Sequence, residues 1–191
     1  MSEKQKMLNG EIYNAYDEKL IQLRNKARHL TKAYNHTDPE ATEERINILT
    51  KLFGKIGKNF EIEPPFHCDY GTNMEIGESF YANFNFLVLD DGLVKIGDDV
   101  LFGPNVSIFT ATHLLDPQLR PKNADYTKAV TIGNNVWVGG GSIINPGVTI
   151  GDNSVIGSGS VVTKNIPANA VAVGNPCKII KYIDKEILKV I

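Results

Sequence analysis

The stretch V-T-I-G-N-N-V-W-V-G-G-G-S-I-I-N-P-G (residues 130–147) is followed at once by V-T-I-G-D-N-S-V-I-G-S-G-S-V-V-T-K-N (148–165), and eight of the 18 aligned positions are identical. Within and across the copies an aliphatic residue returns every six: Ile132, Val138, Ile144, Ile150, Ile156 and Val162. An α-helix does not repeat at six, and an isolated half-buried strand alternates every two. A period of six nested in a period of 18 is the hexapeptide pattern of a parallel β-helix, with three short strands to each coil.

The register extends backwards. Ile96, Phe102 and Ile108 keep the hexad, and Val94, Val100 and Val106 occupy a second inner position two residues earlier. In the later coils that second position holds Val130, Val136, Ser142, Val148, Ser154 and Ser160. A large aliphatic residue beside a small or β-branched one fills a narrow triangular interior. Each buried Ile or Val contributes roughly 1.5–3 kcal/mol before the ordering entropy that opposes it. Glycine follows the aliphatic residue at Gly97, Gly103, Gly133, Gly139, Gly151 and Gly157. That suits a corner needing unusual backbone angles or no side chain. Upstream, around Ile62, Pro64-Pro65, Ile76, Ala82 and Val88, the coils are less regular.

Outside the repeat the chain reads differently. Tyr16, Leu20, Leu23, Ala27, Leu30 and Tyr34 fall at helical steps, and Ile46, Leu49, Leu52 and Phe53 give a second helix an apolar face. Asp38-Pro39 looks like the cap and first residue of that second helix. Three parts are expected: a helical segment over 1–58, the β-helix over 59–177, and a C-terminal capping segment over 178–191. Ile179, Ile183 and Ile187 place a short helix in the last part. Between Ile108 and Val130 the pattern lapses into a polar stretch with two prolines, predicted to leave the coil as an extruded loop over 111–129 without helix or strand.

Composition narrows the function classes. Of 191 residues, 42% are hydrophobic and 22% charged, and the net charge is −2. A nucleic-acid binder would be basic. The two cysteines, Cys68 and Cys177, form neither a disulfide framework nor a CxxC metal site. The polar N-terminus has no apolar leader, which predicts a cytoplasmic protein. The four histidines, His29, His36, His67 and His113, are not spaced as a three-histidine zinc site of the γ-carbonic-anhydrase kind, so no metal is expected. A purely structural solenoid remains the non-enzymatic alternative. His113 stands where the repeat breaks into the loop. On its own it is an ordinary surface histidine; in that place it is a candidate general base.

The chain resembles the hexapeptide-repeat sugar O-acetyltransferases of the maltose and galactoside group. The resemblance is carried by Tyr34-Asn35-His36, Phe66-His67-Cys68-Asp69-Tyr70-Gly71, Phe80-Tyr81-Ala82-Asn83-Phe84-Asn85, Thr110-Ala111-Thr112-His113, Ile132-Gly133-Asn134-Asn135-Val136-Trp137 and Gly174-Asn175-Pro176-Cys177. It implies a mainly β fold, a left-handed parallel β-helix with an N-terminal helical segment and a short C-terminal helix. It also implies a homotrimer with active sites between subunits. Acetyl-CoA is the implied co-substrate and a small sugar the acceptor. His113 matches the family's general base, and Asn83 the asparagine that stabilises the transition state or holds the acceptor. Asp69, Asp91, Tyr81, Arg24 and Asp17 match or lie near acceptor positions. Gly140, Ser158, Thr163, Lys164, Lys178 and Lys181 match coenzyme A positions. The galactoside enzymes carry arginine at the last two, and lysine gives up the bidentate fork. Trp137 lines either the cofactor groove or a subunit interface. Two alternatives stay open: an acceptor that is an amine or not a sugar, and an inactive relative that only binds coenzyme A.

Overall fold

The computed structural model describes residues 1–118, 120 and 124–183. The N-terminal part is helical: α1 (Glu3–Leu8), a two-residue strand β1 (Tyr13–Asn14), α2 (Glu18–Asn35) and α3 (Thr42–Leu52). Five coils follow. The first carries β2 (Lys55–Ile56), β3 (Glu61–Ile62) and β4 (Phe66–Cys68). The second carries β5 (Met74–Ile76), β6 (Tyr81–Ala82) and β7 (Phe86–Leu89), and the third β8 (Val94–Ile96), β9 (Leu101–Phe102) and β10 (Ser107–Phe109). The chain then makes β11 (Ala111–His113) and β12 (Ala124–Thr127) outside the coil. The fourth coil is β13 (Val130–Ile132), β14 (Trp137–Val138) and β15 (Ile143–Ile144); the fifth is β16 (Thr149–Ile150), β17 (Val155–Ile156) and β18 (Val161–Val162). β19 (Ala170–Val173) and β20 (Lys178–Tyr182) close the chain's described part.

Parallel pairing between coils gives three faces. The first is β2-β5-β8-β13-β16, the second runs from β3 to β20, and the third is β4-β7-β10-β15-β18. Inner hexad residues such as Ile96, Ile132 and Ile150 stack in register and are buried. Ser142, Ser154 and Ser160 take inner positions beside them with no exposure. Their hydroxyls donate to Gly157 O, Pro167 O and Gly157 O, so the small polar partners are satisfied inside the coil. The early coils are filled differently, by Phe66, Phe80, Phe86 and Phe102 packed ring to ring at 5.2–6.0 Å.

The repeated glycines answer to close approach between coils. A Cβ on Gly97 would lie 2.4 Å from Asn134 Oδ1, and one on Gly133 2.2 Å from Asp152 Oδ1. Left-handed backbone falls two residues later, at Asp99, Asn135 and Asn153. Those corner acceptors form a ladder. Glu78 N–H donates to Asp98 Oδ1, Asp98 N–H to Asn134 Oδ1, and Asn134 N–H to Asp152 Oδ1, at 2.7–2.8 Å.

Several local expectations are corrected. The C-terminal segment does not begin as a helix: Lys178–Tyr182 is a strand antiparallel to β19, covering the edge of the second face, and residues 184–191 lie outside the described part. Asp38-Pro39 does not start α3. Ala41 N–H bonds Asp38 O in a turn, and the helix starts at Thr42 without a side-chain cap. Tyr16 lies before α2 and is exposed, while Leu20, Ala27 and Tyr34 face the core. The first strand of the coil, at Lys55, precedes the expected boundary at 59. The extruded segment is not without strands, because β11 and β12 pair antiparallel and β1 adds a third. Among the described residues no helix is long and apolar enough to cross a membrane.

Candidate active site

The coils differ in length at one corner. Ile56, Ile76 and Ile96 stand twenty residues apart, whereas Ile132 and Ile150 stand eighteen apart. The extra residues lie between the third face and the first, after Cys68 and after Val88. They include Asp69 and Tyr70 in the first coil and Asp90 and Asp91 in the second. In the third coil the same corner, after Phe109, releases the β11–β12 excursion. Three successive coils therefore contribute polar side chains to one edge of the prism.

Asp90 is the buried pin of this corner. Its Oδ1 accepts N–H of Asp69 at 3.0 Å and of Tyr70 at 2.8 Å, while Oδ2 has no partner. Burial pushes its carboxyl up to about 8. Asp69 and Asp91 belong to the same corner and interact electrostatically. Burial raises both acids, and the neighbouring carboxylate raises Asp69 further. Tyr13 Oη–H donates to Asp91 Oδ1 at 2.9 Å. Arg24, from α2, donates to Tyr70 Oη at 2.5 Å and to Ala15 O at 2.6 Å, with its guanidinium over the Tyr70 ring. Its charge partly offsets the two acids.

His113 ends β11, directly opposite Asp125 on β12. Its Nδ1 lies 2.5 Å from Asp125 Oδ1. A carboxylate at that nitrogen fixes the tautomer with the proton on Nδ1, leaving the Nε2 lone pair free. The His113 side chain is 65% exposed, against 19% for Asp125. The imidazole is thus open to solvent while the carboxylate beside it is sheltered.

The residues singled out in the sequence fall into separate groups. Asp69, Asp91 and Arg24 join the corner just described. Asp17 instead caps α2, accepting from Lys19 N–H and Leu20 N–H. Tyr81 faces out of the second face, in register with Leu101 and, through it, Trp137. Asn83 lies at the following corner, between the second and third faces, and its Oδ1 accepts Phe84 N–H. Gly140 and Ser158 share that corner: Gly139 packs on Ser158, and a Cβ on Gly140 would press on Pro104 at 3.0 Å. Thr163 and Lys164 are exposed just after β18, and Lys178 and Lys181 are exposed on β20. Within one chain Asn83 makes no hydrogen bond to His113. Of the other histidines, His29 and His36 bond helix carbonyls of Asn25 and Lys32. Among the described residues no group of three histidine, cysteine or acidic side chains is placed to hold a metal.

Sequence reasoning missed Asp125 and Tyr13. A signal for Asp125 existed: A-T-H and A-D-Y-T are short alternating stretches that flank a loop as hairpin arms do. Tyr13 had none, because its partner Asp91 is 78 residues away.

Comparison with known proteins agrees with this architecture. The family model of the maltose acetyltransferase hexapeptide capping motif matches residues 6–57, and the bacterial transferase hexapeptide model, six repeats, matches 129–164. The galactoside O-acetyltransferase of Escherichia coli (strain K12) is 44% identical over 92% of this chain and 86% of its own. A crystal structure of a maltose O-acetyltransferase from Clostridium difficile 630 superposes with a TM-score of 0.96 at 51% identity, covering 97% of this chain and 99% of that one. A galactoside acetyltransferase in complex with coenzyme A superposes at 0.95 with 42% identity, covering 100% and 95%. Coil, corner and matches together define a hexapeptide-repeat acyltransferase. Within that class the chain belongs to the family of maltose and galactoside O-acetyltransferases.

Proposed function

We propose that the protein transfers the acetyl group of acetyl-CoA to a hydroxyl of a small sugar by direct attack, with His113 as general base. The observation that carries this reading is the exposed His113–Asp125 pair, on the excursion that leaves the coil at the corner holding Asp69 and Asp91. Nε2 takes the hydroxyl proton as the oxygen bonds the thioester carbonyl carbon. The tetrahedral oxyanion collapses, the carbon–sulfur bond breaks, and the imidazolium returns the proton to the departing thiolate. Asp125 keeps the ring in the useful tautomer and stabilises its charged form. Asp69 and Asp91 suit the acceptor because each carboxylate accepts several hydroxyl hydrogen bonds. The coenzyme A complex of the related galactoside acetyltransferase supports the co-substrate.

The working unit in this reading is a homotrimer. His113 and the acceptor carboxylates stand at one corner of the prism, and Asn83, Gly140 and Ser158 at another. A neighbouring copy that sets its second corner against the first completes the site. The exposed Phe84, Leu101 and Trp137, each at least half accessible, supply an apolar surface there. Asn83 then faces the oxyanion from the partner, Tyr81 stays a candidate acceptor contact on the same edge, and Lys178 and Lys181 are left to pair with coenzyme A phosphates.

The test is acetyl-CoA-dependent thiol release against glucosides, galactosides, maltose, amino sugars and serine. Sugar-dependent release is expected, with turnover at least about 10²-fold lower in His113→Ala, the scale of a lost general base. Undiminished turnover in that variant would overturn the role of His113.

A further inference from the structure

We infer that Tyr13 is a positioning residue for the acceptor, tying Asp91 of the coil to the small sheet that carries His113. The inference rests on the acetyltransferase reading above but on separate observations. β1 pairs with β12 and β12 with β11, so Tyr13, Asp125 and His113 stand in one row across a three-stranded sheet. Residues directly opposite in an antiparallel sheet project to the same side. Tyr13 is thus next to Asp125 through its backbone pairing, and its hydroxyl reaches across to Asp91.

Packing alone does not call for that hydroxyl. The ring is 2% exposed and packs with Met7, Leu20 and Tyr70, an environment phenylalanine would fill equally well. A buried phenol needs a partner, and its partner here is the carboxylate. Burial and the Asp91 charge push the phenol far above its ordinary range, so it remains a donor at every working pH. In return its hydrogen bond favours the ionised form of Asp91 against burial. The other groups facing this pair are Asp69, Asp90 and Tyr70 from the corner, Arg24 and Arg28 from α2, and Asp125 from β12. Arg24 is already held by Tyr70 and Ala15, and Tyr13 is a neutral donor fixed on Asp91.

The anchoring of β1 explains why so short a strand holds its place. Met7 is fully buried, Thr127 Oγ1 donates to Met7 O at 2.6 Å, and Asn14 N–H donates to Glu3 Oε2 at 2.6 Å. The N-terminal segment is thereby one wall of the corner as well as a cover for the coil.

The experiment compares Tyr13→Phe with wild type in both substrates. The acceptor KM should rise about tenfold, as for one charge-assisted hydrogen bond removed, with kcat changed less than about threefold and the acetyl-CoA KM less than about twofold on the same footing. The acid limb of kcat/KM for the acceptor should move to higher pH. In an Asp91→Asn background the substitution should have little further effect on acceptor KM. An unchanged acceptor KM, or a parallel loss in kcat and both KM values tracking a lower Tm, would overturn the assignment. The Asp91 carboxyl titration, followed by 13C chemical shift, gives a readout without turnover. It should move upward in Tyr13→Phe, and an unmoved titration also overturns the proposal. Wild-type protein silent towards every acceptor would instead defeat the acetyltransferase reading, leaving the Asp91 titration to decide the role of Tyr13.

Discussion

The fourth and fifth coils are nearly interchangeable; the first three are not. From the fourth coil to the fifth each pairing spans 18 residues, the interior is Val, Ile and buried Ser, and the corners are tight. The first two turns take twenty, are filled by a phenylalanine stack, and put their extra residues at a single corner. The third gives up that corner altogether to an excursion. The regular coils specify the architecture because every local choice agrees with the next. The irregular ones hold what the repeat forbids: a buried acid with an orphan oxygen, two further acids at the same corner, and an exposed imidazole. Departures from the repeat are where the proposed chemistry is placed.

Breaking the regular half should cost stability and little else. Ile144→Ala empties a fully buried position between β10 and β18 and should destabilise the protein by about 2–5 kcal/mol. Denaturant unfolding measures this, and kcat of the folded fraction should be unaltered. A loss well under 1 kcal/mol would mean that the late coils are not a packed core. Changing the irregular half should do the reverse. Asp125→Asn replaces the orienting carboxylate by an amide able to donate to Nδ1 and so to favour the wrong tautomer. It should lower kcat/KM roughly 10–100-fold with Tm little changed, less than in a buried triad because His113 is exposed. Wild-type rates in that variant would reduce Asp125 to a loop contact.

A pH effect sharpens the contrast within the corner itself. The Asp90 carboxyl holds its proton more tightly folded than unfolded, so the folded state binds more protons between about pH 4 and about pH 8. Stability contributed by this group is therefore lost as pH rises through that window. Wild-type Tm should fall between pH 5 and 8. Asp90→Asn, which keeps the acceptor for the Asp69 and Tyr70 amides, should flatten that slope. An equal slope in both proteins would assign the pH dependence to other groups.

Much of this was legible in the sequence for reasons the two halves make plain. Hexad periodicity is a property of neighbouring residues, so Ile132 to Val162 announce the coil without any knowledge of contacts. Helix α2 was readable from Leu20, Ala27 and Tyr34, although its start was misplaced because Tyr16 continues the apolar spacing beyond Asp17, the residue that caps it. The C-terminal strand was misread because isoleucines at helical spacing also occur on an edge strand, and the open edge of β19 decided between them. His113 was picked out by its place at the break in the repeat, and Asp91 through resemblance. Their partners Asp125 and Tyr13 came only from contacts and pairings across the small sheet.

The excursion is stitched shut at its root. Lys128 N–H bonds Thr110 O, Val130 N–H bonds Leu93 O, and Val94 on β8 pairs directly with Val130 on β13 as though nothing lay between. The solenoid therefore does not register how much chain lies between Thr110 and Lys128. Ring-closure entropy grows only as the logarithm of length, and here the β11–β12 hairpin already sets the distance between its ends. A change in the length of chain between β11 and β12 should therefore leave the pairing of the coil in place. In engineering terms the molecule carries a socket: a prism with one insert, which bears the His113 imidazole.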